Sequence, residues 1–373
     1  MSRVAATTGY GYSMIEQRLS RLWQHLHDDQ LQALLVNNDS NVRYLSGYRG
    51  SESCLLVDRQ QLRLLLTDSR YTEQAKREAP GYTVICCGGS QLSLSQMLRQ
   101  LSEKYAIKHL GFEDEQWSVA DFNKLQTEVE DLQWQPLGNL IMQVRAKKDE
   151  QEIVLLQQAA KATDLVFAAI AEKIKPGISE KDIAKELAYL IADQGCESSF
   201  PIIVASGING ALPHAQPQAD KPVQKGDLIT LDFGCAYDGY RADTTRTLIL
   251  GQPTAKQRQI YDIVLEAHRL AASALRSGIK ACQIDALARD YITEVGFGEN
   301  FGHGLGHGIG LDVHELPLLN RISQQILEED MVATIEPGIY IPGWGGIRIE
   351  NDYLLTAVGC QRLLDSSQEL ICL

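Results

Sequence analysis

The stretch Leu228–Thr247, LITLDFGCAYDGYRADTTRT, constrains this chain more than any other. Two β-prone runs flank Asp238-Gly239, a dipeptide that fits a two-residue hairpin turn. With those two residues as the loop, Asp232 pairs with Thr245, and Asp243 lies two residues further along the same face. Diagonal neighbours on one sheet face are about 7–8 Å apart at the backbone, so two carboxylates there can converge. Both strands are apolar enough to be buried, and a buried carboxylate needs a partner. The hairpin face offers no Lys or Arg for the purpose, which leaves a metal ion as the expected partner.

A second acidic hairpin is expected further on. Met331–Glu336 (MVATIE) reads as one arm, Pro337-Gly338 as its turn, and Ile347–Leu355 (IRIENDYLL) as the return strand. Glu336 ends one arm and Glu350 sits on the other, with Arg348 on the face of Glu350 because strand side chains alternate. Between the hairpins lies FGHGLGHGIGLDVHE, carrying His303, His307 and His314 among glycines that let the backbone pass close to other atoms. A dinucleotide loop would want a preceding strand, a following helix and no histidines in the turn. His214 stands in ALPHA at another expected strand end, whereas His25, His27, His109 and His268 read as ordinary core or surface residues.

Taken singly, each acidic or histidine residue has an ordinary explanation; the combination does not. Four carboxylates gathered without cations repel by about 4 kcal/mol per close pair at an effective dielectric of 20. Two divalent ions would neutralise them, and an oxygen-rich set with one imidazole suits Mn²⁺, Co²⁺ or Zn²⁺ better than a thiolate zinc site.

The rest of the chain bounds the answer. At 373 residues it is long enough for two domains. Residues 14–145 alternate helical and strand-like segments: helices at Ile15–Leu26, Tyr71–Ala79, Leu92–Tyr105 and Val119–Val129, strands at Ala33–Val36, Cys54–Val57, Leu62–Thr67, Thr83–Cys86, His109–Phe112 and near Leu132. This predicts an α/β N-terminal domain over 1–145 with no nucleophile elbow or P-loop. The charge-rich Gln143–Glu152 marks the boundary with a second domain, 146–373. That domain opens on a helix from Asp149 to Ile174 and a second capped by Ser179, with Asp182 in a capping-box-like position. Helices at Ala255–Ser277 and Gln283–Glu294 follow among strands and glycine-rich turns, an α+β pattern. A weak internal duplication is conceivable, since residues 200–250 and 300–356 each end in an acidic hairpin. Residues 1–13 read as a loose leader without a signal-peptide core, and no apolar run approaches membrane-spanning length. Eight cysteines without CxxC spacing imply reduced thiols and a cytoplasmic setting. A net charge of −13 argues against binding a nucleic-acid backbone.

The pieces DFGCAYDGYRADTTRT, LGHGIGLDVHE, IEPGIY and GIRIEND together resemble the pita-bread metallopeptidases: Xaa-Pro aminopeptidases, prolidases (Xaa-Pro dipeptidases) and methionine aminopeptidases, with the metal-free creatinases as relatives. The N-terminal stretches NVRYLSGYRGSESCLLV and LLTDSRYTEQAKRE resemble the non-catalytic domain of the Xaa-Pro branch, which methionine aminopeptidases lack. The resemblance implies a pita-bread catalytic domain with Asp232, Asp243, His307, Glu336 and Glu350 as ligands of two divalent ions, Asp243 and Glu350 bridging. It places His214, His303, His314 and Arg348 at positions that bind substrate or steady the tetrahedral intermediate, and gives Glu336 a further role in proton transfer. It implies hydrolysis of the bond before proline in small peptides with proline second, and a homodimer. Arg348 is expected to orient a ligand carboxylate and to contact the cluster. Two departures stand out: Asn351 follows Glu350 where many relatives have Asp, and Leu318 follows HELP where prolidases often carry Arg. The expectation is therefore an Xaa-Pro aminopeptidase, with an Xaa-Pro dipeptidase as the close alternative. A non-enzymatic pita-bread binding protein is the alternative of another class, and it would be favoured by loss of a ligand residue.

Overall fold

The computed structural model describes residues 12–373 apart from 27, 29 and 89–91. The expected leader up to residue 11, and His27, lie outside the described residues. The chain divides into two compact units, 1–145 and 146–373.

In the first unit the order is α1 (Tyr12–His25), β1 (Ala33–Val36), α2 (Asp39–Ser46), β2 (Ser53–Asp58), β3 (Arg63–Thr67), α3 (Thr72–Glu78), β4 (Thr83–Cys86), α4 (Leu94–Tyr105), β5 (His109–Phe112), α5 (Val119–Glu128), β6 (Gln133–Pro136) and α6 (Leu140–Ala146). The strands form one six-stranded mixed sheet, β4-β3-β2-β1-β5-β6, parallel except where β2 pairs with β1 and β3. Its central strand β1, the apolar run ALLV, is buried along its whole length, and β2 beside it is buried in all but its end residues, as expected of strands covered on both faces. Helices α2 and α6 go beyond the sequence reading. In α2 the Asn38 side chain caps the first turn by accepting from Asn41 N–H at 3.0 Å, and Gly47 closes the end at φ 81°.

The second unit opens with α7 (Glu150–Ala171) and α8 (Glu180–Asp193). Asp149 and Glu152 form a reciprocal capping box on α7. On α8 the Asp182 carboxylate instead takes the Ser179 hydroxyl, at 2.8 Å, so that cap is not reciprocal. Helix α7 is long and apolar enough to cross a membrane by composition, contrary to the reading that no such run exists. Its Leu156, Ala159, Ala160, Thr163, Val166, Phe167 and Ile170 are buried at helical spacing, as in a core helix.

Next come β7 (Glu197–Ser198), β8 (Ile203–Ser206), β9 (Leu228–Phe233), β10 (Cys235–Tyr237), β11 (Tyr240–Arg241) and β12 (Thr244–Ile249). Then α9 (Ala255–Ala274) and α10 (Ala281–Glu294) pack together, before β13 (Gly306–Gly308), β14 (Glu315–Leu319), β15 (Val332–Ile335), β16 (Gly338–Ile341), β17 (Gly345–Arg348), β18 (Asn351–Leu355) and β19 (Cys360–Arg362). A helix pair followed by antiparallel strands thus occurs twice.

The first hairpin has the register read from sequence. Asp232 faces Thr245, Tyr237 faces Tyr240, and Asp238 and Gly239 turn with φ of 45° and 74°. Two positive φ values in a two-residue loop suit the right-handed twist of the strands. The second hairpin differs from expectation. Pro337-Gly338 is not its turn: the chain runs on into β16, turns at 342–344 and returns as β17. Then β18 pairs with β15. Glu336 and Glu350 fall in the gap between these two ladders, one on each arm. The halves join where Glu350 N–H donates to Thr245 C=O at 3.1 Å, and where Thr247 Oγ1 donates to Arg348 C=O at 3.0 Å.

Candidate metal centre

The junction between the ladders brings together residues that are up to 118 positions apart in sequence, Asp232 and Glu350 being the extremes. Asp232, Asp243, His307 and Glu350 are buried, and Glu336 points into the same cleft. Ligand atoms of Asp243, His307 and Glu350 all lie within 4.8 Å of one another. His307 Nε2 is 3.5 Å from Glu336 Oε1 and 3.9 Å from Asp243 Oδ2. All five sequence-derived ligand residues therefore meet.

The strand carrying His307 can lie this close only because of its glycines. A Cβ on Gly306 would fall 2.0 Å from the Thr334 carbonyl oxygen, and one on Gly308 2.1 Å from that of Leu316. The His307 ring is fixed by Nδ1 donating to its neighbour Gly308 C=O at 3.0 Å, which turns the Nε2 lone pair toward the carboxylates. Burial pushes this imidazole down to about 4, so it is neutral at pH 7 and able to ligate.

The carboxylates answer the other way. Burial, then the neighbouring Glu350, Asp232, Asp352 and Glu336, hold Asp243 well above the usual carboxylate range. Burial and Glu350 do the same to Glu336. Glu350 is pushed up to about 7, again mainly by burial and then by Asp232. Asp232 Oδ1 and Asp243 Oδ1 are buried with no hydrogen-bond partner. Unpartnered buried carboxylate oxygens converging on a neutral imidazole are the donor set of a divalent cation. The residues fit such an ion.

One expectation needs correction. Asp232 does have a cationic partner: Arg348 Nη2 donates to its Oδ2 at 2.5 Å. The hairpin face itself supplies no cation, as read, and Arg348 reaches Asp232 from the other half. Arg348 also donates to Thr245 Oγ1 at 2.9 Å, Tyr340 Oη at 2.8 Å and Pro213 C=O at 3.3 Å. So engaged, it holds the Asp232 carboxylate and braces the cluster, which agrees with the expected role of orienting a ligand carboxylate. Even with Arg348 beside it, burial dominates at Asp232 and raises its carboxyl.

Tyr340, which the sequence reading passed over, extends this chain. Its hydroxyl accepts from Arg348 and donates to His303 Nε2 at 3.0 Å, while His303 Nδ1 donates to Gly304 C=O at 2.7 Å. A tyrosine in IEPGIY reads simply as a strand former, so only its distance to His303 reveals it. Thr245 is a second such residue; its hydroxyl donates to Glu350 Oε2 at 2.6 Å while accepting from Arg348. Asn351 accepts from the buried Arg246 at 2.9 Å, and its own Nδ2 has no partner.

The cleft holds about 1230 Å³ and is lined by the five candidate ligand residues, by His214, His303 and His314, and by an apolar side including Phe200, Pro201, Ile203 and Leu212. His214 and His314 are exposed at its edge, and the His314 ring packs edge-on to His307 at 4.4 Å. The other histidines behave as read where described. His268 is fully buried in the core beside Tyr353, and His25 is on the surface. The eight cysteines are all free.

Comparison with known proteins follows the same outline. Residues 154–357 match metallopeptidase family M24, and residues 18–147 match the creatinase/prolidase N-terminal domain. The chain belongs to metallopeptidase family M24. An uncharacterized peptidase of Bacillus subtilis is 40% identical over 96% of this chain and 99% of its own. Among solved structures, an Xaa-Pro dipeptidase from Bacillus anthracis aligns with a TM-score of 0.91 at 38% identity, covering 96% of this chain and 100% of the other. An X-Pro aminopeptidase from Thermotoga maritima gives 0.85 at 36% identity, covering 92% and 98%. As an M24 member the chain is a hydrolase that works with divalent metal ions, which removes the non-enzymatic reading. The fold is the pita-bread arrangement expected, behind a creatinase-type N-terminal domain.

Proposed function

We propose that the protein is an Xaa-Pro aminopeptidase, releasing the first residue from peptides whose second residue is proline. Asp232, Asp243, His307, Glu336 and Glu350 would hold two divalent ions, with Asp243 and Glu350 shared between them. Two dications match the four carboxylate charges, and the oxygen-rich set with one imidazole favours Mn²⁺ over Co²⁺ or Zn²⁺. When bound, the ions supply Lewis acidity and acidify a water so that it can act as nucleophile near pH 7.

The chain's own residues do the rest. Glu336 accepts the proton of the attacking water at a carboxylate oxygen and delivers it to the proline nitrogen, which must be protonated to leave. His303 is held facing the cleft by Tyr340 and Gly304. His214 and His314 border the space where the scissile carbonyl lies and can steady its developing negative charge. Arg348 keeps Asp232 in place, and each of its three nitrogens already donates within the protein.

The observation that carries the choice of aminopeptidase is the polar lining of the cleft. Among the described lining residues the one Arg or Lys is Arg348, already bonded to Asp232, Thr245, Tyr340 and Pro213. Leu318, 43% exposed, stands on the wall where a gripping Arg would serve a dipeptidase. A free carboxylate directly after proline needs such a cation; a continuing peptide does not. The alternative, an Xaa-Pro dipeptidase, is supported by the relative of that name from Bacillus anthracis and by the exposed His214 and His314, which can donate to a carboxylate. Turnover of Xaa-Pro dipeptides against Xaa-Pro-Xaa tripeptides by the Mn²⁺-loaded protein decides it. We expect kcat/KM for tripeptides to equal or exceed that for dipeptides, and cleavage of dipeptides alone would establish the alternative. We place the enzyme in the cytoplasm on its eight free thiols, as a homodimer by family resemblance, with no nucleic-acid or membrane partner.

A further inference from the structure

Segment 298–304 is a wall with space on both sides. One side faces the reaction cleft; the other faces a second cavity of about 480 Å³ edged by Asp285, Arg289 and Thr293, and Glu299 borders both. A Cβ on Gly302 would meet nothing within 4 Å. Phe301, 1% exposed, is the packed anchor of the segment, and around the open Gly302 its set depends on directed hydrogen bonds.

Arg289 supplies them. It sits on α10, 7% exposed, with Nε and Nη2 bonded to Asp285 one turn earlier at 2.7 and 2.6 Å. Nη1 donates to Phe301 C=O at 3.0 Å and Nη2 to His303 C=O at 2.7 Å. The guanidinium carbon lies 4.2 Å from the centroid of the Phe301 ring, which meets the His303 ring edge-on at 5.0 Å. Asp285 completes the set by accepting from Leu305 N–H at 3.1 Å. One ion pair thus ties down main-chain groups on both sides of His303 and the residue itself.

We propose that Arg289, oriented by Asp285, is a positioning residue for His303: by fixing the carbonyls of Phe301 and His303 it sets where the His303 imidazole stands in the cleft. This rests on the cleft being a peptidase active site. The planar fork of Arg meets two carbonyls and a carboxylate at once, and Lys offers a single point donor with no such fork. A displacement of the order of 1 Å in a catalytic group can cost about 100-fold in rate.

The test is a double-mutant cycle on the full-length, Mn²⁺-loaded protein with an Xaa-Pro-Xaa tripeptide. Arg289→Gln is expected to lower kcat by about 100-fold, with KM changing far less and metal content per chain unchanged. Arg289→Lys should recover part of the loss. In a His303→Ala background, Arg289→Gln should have almost no further effect, because the group it positions is gone. If Arg289→Gln folds poorly, Asp285→Asn takes its place in the same cycle, with the His303 ring NMR signals of the metal-free protein as a second readout; they should shift. Full multiplicativity with His303→Ala, unmoved ring signals, or metal loss in parallel with activity would overturn the proposal. Those results in an otherwise active wild type leave the peptidase reading intact, whereas a wild type inactive on every peptide overturns both.

Discussion

The carboxylate cluster contributes an inverted pH dependence to the stability of the metal-free protein. Glu350 is 2% exposed, and its carboxyl is raised from the usual 4.5 to about 7 by burial and then by Asp232. A carboxyl whose folded pKa lies above its unfolded value favours folding while protonated. That contribution is fully present below pH 4.5 and is lost as pH rises through 7. At 1.36 kcal/mol per pH unit, Glu350 alone removes about 3 kcal/mol between those limits. Asp243 and Glu336 are raised as well and act in the same direction. For a unit of this size about 3 kcal/mol corresponds to roughly 6–12 °C in melting temperature. Thermal melting of chelator-treated protein from pH 5 to 8 measures it. Apo wild type should fall relative to apo Glu350→Gln as pH rises and melt below it at pH 8; the difference between the two cancels the opposite contribution of buried His268, His303 and His307 below pH 6.5. Added Mn²⁺ should raise the wild type most at the alkaline end, because a cation binds the ionised carboxylates and stabilises only the folded state. A difference between apo wild type and apo Glu350→Gln that does not change with pH, with Glu350→Gln no better than wild type at pH 8, would refute the reasoning.

Asp243→Ala should cost bound metal as well as rate, while His314→Ala should keep metal content near wild type and lower kcat; elemental analysis beside tripeptide kinetics separates the two. Leu318→Arg should move the ratio of dipeptide to tripeptide kcat/KM toward dipeptides by 10-fold or more, on the order of the 1.5–3 kcal/mol of a charge-assisted contact, and an unchanged ratio would remove that wall from the argument. His268 is pushed down to about 3 by burial, with Arg246 adding to it. Its neutral form is therefore favoured by folding: that stability is present above pH 6.5 and drains away as pH falls toward 3. His268→Gln should weaken this acid limb of the melting curve in the metal-loaded protein.

The sequence carried the local rules well and the long-range ones poorly. The first hairpin was legible because Asp238-Gly239 fixes both turn and register, so Asp232 and Asp243 fall on one face by arithmetic alone. The family resemblance then singled out His307 among the glycine-flanked histidines and gave five candidate ligand residues, which the structure brings together. The second hairpin misled because Pro337-Gly338 has the composition of a turn, while the actual reversal at 342–344 lies one short ladder further on. Arg348 was seen, but its partner was not. Strand alternation gives the face on which a side chain lies, not which half of the molecule it meets, and Asp232 is 116 residues away. Tyr340 and Arg289 were invisible for the same reason. Their meaning lies in hydrogen bonds to His303 and Phe301, and neither residue type is unusual in a strand or a helix. Helix α2 escaped because eight polar-leaning residues offer little periodicity beyond a good cap at each end.

The gap between the β15–β18 and β16–β17 ladders has a consequence for how this unit assembles. Glu336 and Glu350 flank that gap, and Asp232 and Asp243 reach it from a hairpin separated by helices α9 and α10. Before those helices dock, the unfolded chain offers an ion at most a few scattered carboxylates. Closing loops of this length costs entropy that grows with the logarithm of their span, and that cost is met by the apolar contacts of the strands and helices before the ligands converge. On this argument the proposed ions would act as a latch and not a template: they would bind a frame that hydrophobic packing builds, and hold its two halves together.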